Sequence, residues 1–286
     1  MSYRTILVHM NDARRARRLL SHAAELARAF EAHLLGLHAF PAPRLKPPIP
    51  LPVGTDVLGG LKWSIDEETQ HLRSIFEELT TKQRFVGEWR SVTSERGDPA
   101  KIVIARAHAA DLVIASQADP QWDFSVMLDF PGRLAIESGR PVLVVPNEGQ
   151  VAALPSTVVI AWNQRREAAR AVFDALPLLK GAKKVELLTI DDGSVPGEGS
   201  LEPKEAFLPA SAVADALLRH GVRTTVSVLK ATSNGAGQTI CQHAAELKAE
   251  LLVMGAYGHT RLHEFVFGGA TRYVLKNMTI PVFFSH

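Results

Sequence analysis

Thr157-Val158-Val159-Ile160-Ala161-Trp162-Asn163 restates Thr5-Ile6-Leu7-Val8-His9-Met10-Asn11, which stands near the start of the 286-residue chain. Each is a short apolar run closed by asparagine, and each leads into a segment of helical period. In the first copy the apolar positions are Ala16, Leu19, Leu20, Ala23, Leu26, Ala27 and Phe30; in the second they are Ala168, Ala169, Val172, Ala175, Leu176 and Leu179. Spacing of three to four predicts amphipathic helices laid on a sheet. The copies stay in step further along. Second strands are expected at His33–His38 and Val185–Ile190, fourth strands at Asp111–Ala115 and Glu250–Met254, and last strands at Pro141–Val145 and Pro281–Phe284. Strands apolar on both faces and alternating with helices indicate parallel sheets covered on both sides. The chain reads as one α/β domain written twice, over 1–148 and 155–286, with the boundary in the loop-like stretch Asn147–Pro155.

Two insertions interrupt the pattern. Phe40–Pro52 holds six prolines, and Asp191–Pro209 is rich in glycine, proline and acidic residues. Each follows the second strand of its half, where a loop can overhang the carboxyl edge of the sheet. Bulk properties are those of a globular protein: 46% hydrophobic, 22% charged and a formal net charge of +2. A balance so close to neutral argues against nucleic acid or an anionic membrane as partner. A single cysteine, Cys241, excludes an intrachain disulfide framework. With no apolar run long enough to span a bilayer and no room for a signal peptide before the first strand, the expected location is cytoplasmic.

In open parallel sheets ligands bind outside the carboxyl ends of the strands. There the halves differ. After the fourth strand the second half carries Gly255-x-x-Gly258-(nine residues)-Gly268-Gly269-Ala270-Thr271, followed by a helical stretch. Glycines between a strand and a helix N-terminus let the backbone approach phosphates and aim N–H groups at them. In the first half Ser116 and Asp119 align with Gly255 and Gly258, and Asp129-Phe130 aligns with Gly268-Gly269. An aspartate in a phosphate cradle repels the ligand, so the first half is expected to be a degenerate, structural copy.

With these motifs the chain resembles a tandem universal stress protein over essentially its whole length. The resemblance implies two open parallel-sheet α/β sandwiches, each of strand order 3-2-1-4-5, whose last strands can pair around a pseudo-two-fold axis. Some members bind ATP through G-x-x-G-(nine residues)-G-(S/T), and others lack the motif. Carried onto this sequence, the resemblance implies that Met254 and Gly255 meet ribose and phosphate. Gly258, Gly268 and the amides of Gly269, Ala270 and Thr271 would hold phosphates. Ile190 with Ala161, Trp162 and Asn163 would line the adenine pocket. Three departures stand out: Gly269 replaces the motif's Ser/Thr, Asn163 replaces the usual acidic residue and adds no charge for magnesium, and Trp162 is large enough to stack on a base or obstruct it.

Other candidates carry less. His259 and His263 have helical spacing, but the HExxH order and a further ligand are missing, so no metal site is expected. Arg261 and Arg272 could reach a phosphate. Arg14, Arg15, Arg17 and Arg18 open a helix whose dipole they oppose, a short basic run read as a solvated face. Gly54–Lys62 lacks the Lys-Ser/Thr placement of a P-loop. Cys241 reads as a packed thiol. Asp191 and Asp192 could approach a magnesium-bound phosphate. No nucleophile elbow, paired carboxylates or positioned base assembles a catalytic constellation. The expected function is therefore a stress protein binding ATP, with or without Mg2+, in its second half as a regulatory ligand. Binding would order the 256–271 loop and change a surface read by a protein partner, and a homodimer is compatible with this. Rival readings are a scaffold whose pocket is closed by Trp162 and Tyr257, and a weak ATPase.

Overall fold

The computed structural model describes residues 2–42, 55–95, 97–149, 151–152, 154–191, 208–257 and 269–286. The first repeat runs β1 (Thr5–His9), α1 (Ala13–Phe30), β2 (His33–Pro41), α2 (Thr55–Thr80), β3 (Gly87–Ser94), α3 (Pro99–Ala107), β4 (Leu112–Ser116), α4 (Ser125–Leu128), α5 (Pro131–Glu137) and β5 (Val142–Val145). The second runs β6 (Thr157–Ala161), α6 (Arg166–Asp174), α7 (Leu176–Leu179), β7 (Lys184–Asp191), α8 (Ala210–Arg219), β8 (Thr224–Lys230), α9 (Ala236–Glu246), β9 (Leu251–Gly255), α10 (Gly269–Asn277) and β10 (Val282–Ser285).

All ten strands form one sheet in the order β3-β2-β1-β4-β5-β10-β9-β6-β7-β8. Within each repeat this is the expected 3-2-1-4-5, with every pairing parallel. The repeats join where β5 meets β10 antiparallel, Leu143 opposite Phe283 and Val144 opposite Val282. Two apolar layers cover the sheet. One holds Ile6, Val8, Val158, Ile160 and Phe283 under α1 and α6 to α8; the other holds Leu7, Val113, Val159, Met254 and Phe284 under α3, α5, α9 and α10. Alternation along β1 and β6 sends successive residues to opposite layers.

The predicted helical faces are the buried ones. In α1, Ala16, Leu19, Leu20, Ala23, Leu26 and Ala27 face the core. Asp12 caps its N-terminus, accepting the Arg14 backbone N–H at 2.9 Å, and Glu31 closes it in the left-handed region at φ 51°. The single helix expected from 168 to 179 is two, because Pro177 lacks an N–H and enters at the first turn of α7. Residues 55–62, weighed above as a loop of P-loop type, belong to the continuous helix α2. The expected second strand of the first repeat extends through Phe40 to Pro41.

The halves are also stitched by side chains. Tyr3 Oη donates to the Asp174 carbonyl at 2.7 Å. Arg18 donates to the carbonyls of Pro146, Glu148 and Gly149 in the connecting stretch. Gln117, just past β4, donates from Nε2 to the carbonyls of Leu275 and Lys276 at 3.0 and 3.2 Å, near the C-terminal end of α10. Its Oε1 accepts the Asn147 N–H. No helix among the described residues is long and apolar enough to cross a membrane.

Candidate functional site

The carboxyl edge of the second repeat brings several expected residues together. Ala161, Met254 and Ile190 lie in one apolar layer at the ends of β6, β9 and β7. Gly269 opens α10, exposed, with no atom of the described residues within 4 Å of the position a Cβ would take. The Thr271 hydroxyl, buried, accepts the Tyr257 backbone N–H at 3.3 Å. Ala270 is half-buried beside it. Asn163 is exposed, and its Oδ1 accepts the Arg165 N–H at 3.2 Å, closing a small turn around Gln164 at φ 63°. Gly258, Gly268, His259, Arg261, His263 and Asp192 lie outside the described residues, as does most of the 256–271 loop.

One expectation changes, and one glycine has a packing role besides. Trp162 does not share the layer of Ala161 and Met254. It continues the Val158, Ile160 side of β6 and is buried in the opposite layer, its indole N–H without a partner among the described residues. Its side chain is therefore part of the core, and neither stacks at nor closes this edge. Gly255 has a packing role: a Cβ there would stand 2.6 Å from both the Glu167 carbonyl carbon and the Ala168 nitrogen. The glycine lets the end of β9 lie against the first turn of α6. Glu167 itself was not singled out by the sequence. It is buried beside this contact and pairs with Arg166 at 2.7 Å. Burial works to raise its carboxyl pKa, but the bond and charge of Arg166, a bond from its own backbone and the nearby His286 together outweigh this and hold it below the ordinary range.

The same edge of the first repeat is filled. His9, aligned with Ala161, is 2% exposed and stacks on Phe130 with centroids 4.6 Å apart. Asp129 carries a side chain with no exposed surface. Its carboxylate accepts from Arg15 Nη2 at 2.9 Å, the Ser125 hydroxyl at 2.8 Å, the Asp119 N–H at 2.9 Å and Asn11 Nδ2 at 2.5 Å. Arg15 also donates to Asp12 and to the Gln117 carbonyl, and its guanidinium lies over the Trp122 ring at 4.8 Å. Asp119, expected to intrude into the cradle, turns its own carboxylate to the Gln121 N–H.

The basic run that opens α1 is thus engaged throughout: Arg14 and Arg15 on Asp12, Arg17 on Glu78 and Arg18 on backbone carbonyls. Cys241 is half-buried, and burial pushes its thiol up to about 11, so it stays protonated at neutral pH. Tyr257 packs its hydroxyl against Gly132 of the first repeat, and burial raises its phenol to about 12. His243 on α9 meets buried Glu186 on β7 at 2.6 Å, a pair the sequence had not marked.

Buried histidines make the first repeat acid-sensitive. Burial, then the neighbouring His38 and Arg15, lowers His9 to about 3, and burial with Arg18 lowers His22 to about 4. The unfolded chain binds these protons below about 6.5, whereas the fold refuses them until much lower pH. Stability is therefore full above pH 6.5 and falls as pH drops. His9 alone removes roughly 2 kcal/mol by pH 5. Urea midpoints measured at pH 7.5 and pH 5 check this; equal midpoints would contradict the burial of neutral imidazoles.

Comparison with known proteins agrees with the architecture. The universal stress protein family profile matches residues 2–146 and 156–286. A universal stress protein from Archaeoglobus fulgidus DSM 4304 superposes with TM-score 0.68 at 14% identity, covering 98% of this chain and 95% of that one. A protein described as functionally unknown from Pseudomonas aeruginosa PAO1 superposes with TM-score 0.59 at 16% identity, covering 99% and 92%. A search of curated protein sequences finds no match. With one match on each repeat, the chain belongs to the universal stress protein family.

Proposed function

We propose that this universal stress protein binds one adenine nucleotide, ATP with or without Mg2+, at the carboxyl edge of its second repeat, as a regulatory ligand. The observation that carries the reading is the asymmetry between equivalent positions. Where the first repeat has the His9 ring, the second has Ala161; where the first carries Asp129 two residues before α5, the second has a glycine at the aligned position, 268, and α10 opens on the exposed Gly269. Amides at a helix start beside an apolar floor of Ala161, Ile190 and Met254 suit a phosphate chain and an adenine. Asn163, neutral and exposed, offers the ribose or base a hydrogen bond and gives a magnesium ion no charge.

Calorimetric titration of the full chain with ATP, and native mass spectrometry of freshly purified protein, test the reading. Binding with one nucleotide per chain is expected. Gly269→Asp is expected to weaken it at least tenfold, because it sets a carboxylate at the phosphate position. The variant should fold, since its Cβ meets nothing among the described residues and an acidic residue favours a helix start. No heat at millimolar ATP, or full affinity in the variant, would remove the site from this edge.

A further inference from the structure

We propose that the first repeat holds a competent oxyanion cradle filled by its own tethered anion, the carboxylate of Asp129. The inference stands apart from the nucleotide reading, since it concerns the other repeat and rests on the donor set alone.

Four donors from widely separated points of the chain converge on this one carboxylate. They are Asn11 at the end of β1, Arg15 on α1, the Asp119 N–H after β4 and Ser125 at the start of α4. The set combines a guanidinium, a side-chain amide, a hydroxyl and a backbone N–H, the mixture that satisfies the several lone pairs of a carboxylate or phosphate. It is also dry: the Asp129 side chain has no exposed surface and Arg15 is 10% exposed. Trp122 covers the guanidinium from outside.

A structural ion pair needs only two partners. Here loop and helix residues far apart in sequence adopt one arrangement around a single anion, at the carboxyl edge where open parallel sheets take ligands. Because the anion is covalently held, no free oxyanion can compete for the donors. Loss of the carboxylate would leave Arg15 with Asp12 and the Gln117 carbonyl alone, leave Asn11 with the Leu128 carbonyl, and take this acceptor from the Asp119 N–H and the Ser125 hydroxyl; a small anion of matching size would restore the set.

Asp129→Ala in the full chain tests this, with formate as the size-matched probe for the missing carboxylate. The thermal midpoint is expected to drop by about 6 to 12 °C. It should climb again with the logarithm of formate concentration, while chloride at equal ionic strength restores far less. In the double variant carrying Arg15→Gln as well, formate should give no more than chloride. A midpoint within about 1 °C of the parent chain, or a loss that formate and chloride repair equally, would overturn the proposal. If Asp129→Ala does not fold in ordinary buffer, refolding from urea in formate against chloride decides. Selective recovery in formate supports the cradle; equal recovery, or none in either salt, overturns it.

Discussion

Phe283→Ala is expected to cost roughly 3–5 kcal/mol of stability, and to cost it from the whole chain rather than from one repeat. Phe283 is fully buried in the middle strand of the junction, opposite Leu143 of β5 and beside Val253 of β9. Its ring fills the layer that runs under α1 of the first repeat and α6 of the second. Truncation therefore loses the transfer free energy of the ring and opens a cavity at the seam between the repeats. Urea unfolding followed by circular dichroism should show one transition whose midpoint falls while its slope stays unchanged. Two separated transitions in the parent protein would mean that the repeats unfold independently and that the seam couples them weakly.

Gly255→Ala is the second large effect, at roughly 3 kcal/mol. The added methyl would stand 2.6 Å from backbone atoms of Glu167 and Ala168, and neither is the far end of a side chain that can swing away. The first turn of α6 would have to shift against the sheet. Gly269→Ala is the matched comparison, because its Cβ meets nothing within 4 Å among the described residues and it lies at the start of a helix that favours alanine. That variant should be as stable as the parent or slightly more so. A neutral Gly255→Ala would show that α6 and β9 do not meet so closely. The pair separates two uses of glycine in one motif: close packing at its beginning and an exposed helix start at its end.

Much of this architecture was legible in the sequence because the inner strands are apolar on both faces. Ile6 to Val8, Leu112 to Ala115 and Val158 to Ile160 have no polar interruption and could only be central parallel strands. Edge strands were not legible for the opposite reason. β3 reads Gly-Glu-Trp-Arg-Ser-Val-Thr-Ser and β8 reads Thr-Thr-Val-Ser-Val-Leu-Lys, polar enough to pass for loop since each is covered on one flank only. The placement of Trp162 was available and overlooked: two residues past Ile160, strand parity sends it to the same layer. The carboxylate cradle was beyond reach. Positions 11, 15, 119, 125 and 129 converge only through the fold, and an aspartate aligned with a glycine looked like mere decay of a motif.

The antiparallel seam between β5 and β10 has one more consequence. Because the strands of the two repeats run in opposite senses, their carboxyl edges open on opposite sides of the shared sheet. Even so, Tyr257, just past β9, reaches across with its hydroxyl to Gly132 in the first turn of α5. α10 joins the two edges: it begins at Gly269 on one, and near its other end it is gripped by Gln117, whose carbonyl holds Arg15 on the opposite edge. The molecule is built as a dimer with unlike halves: the edge of the first repeat is filled by the Asp129 side chain, and the edge of the second faces the other way.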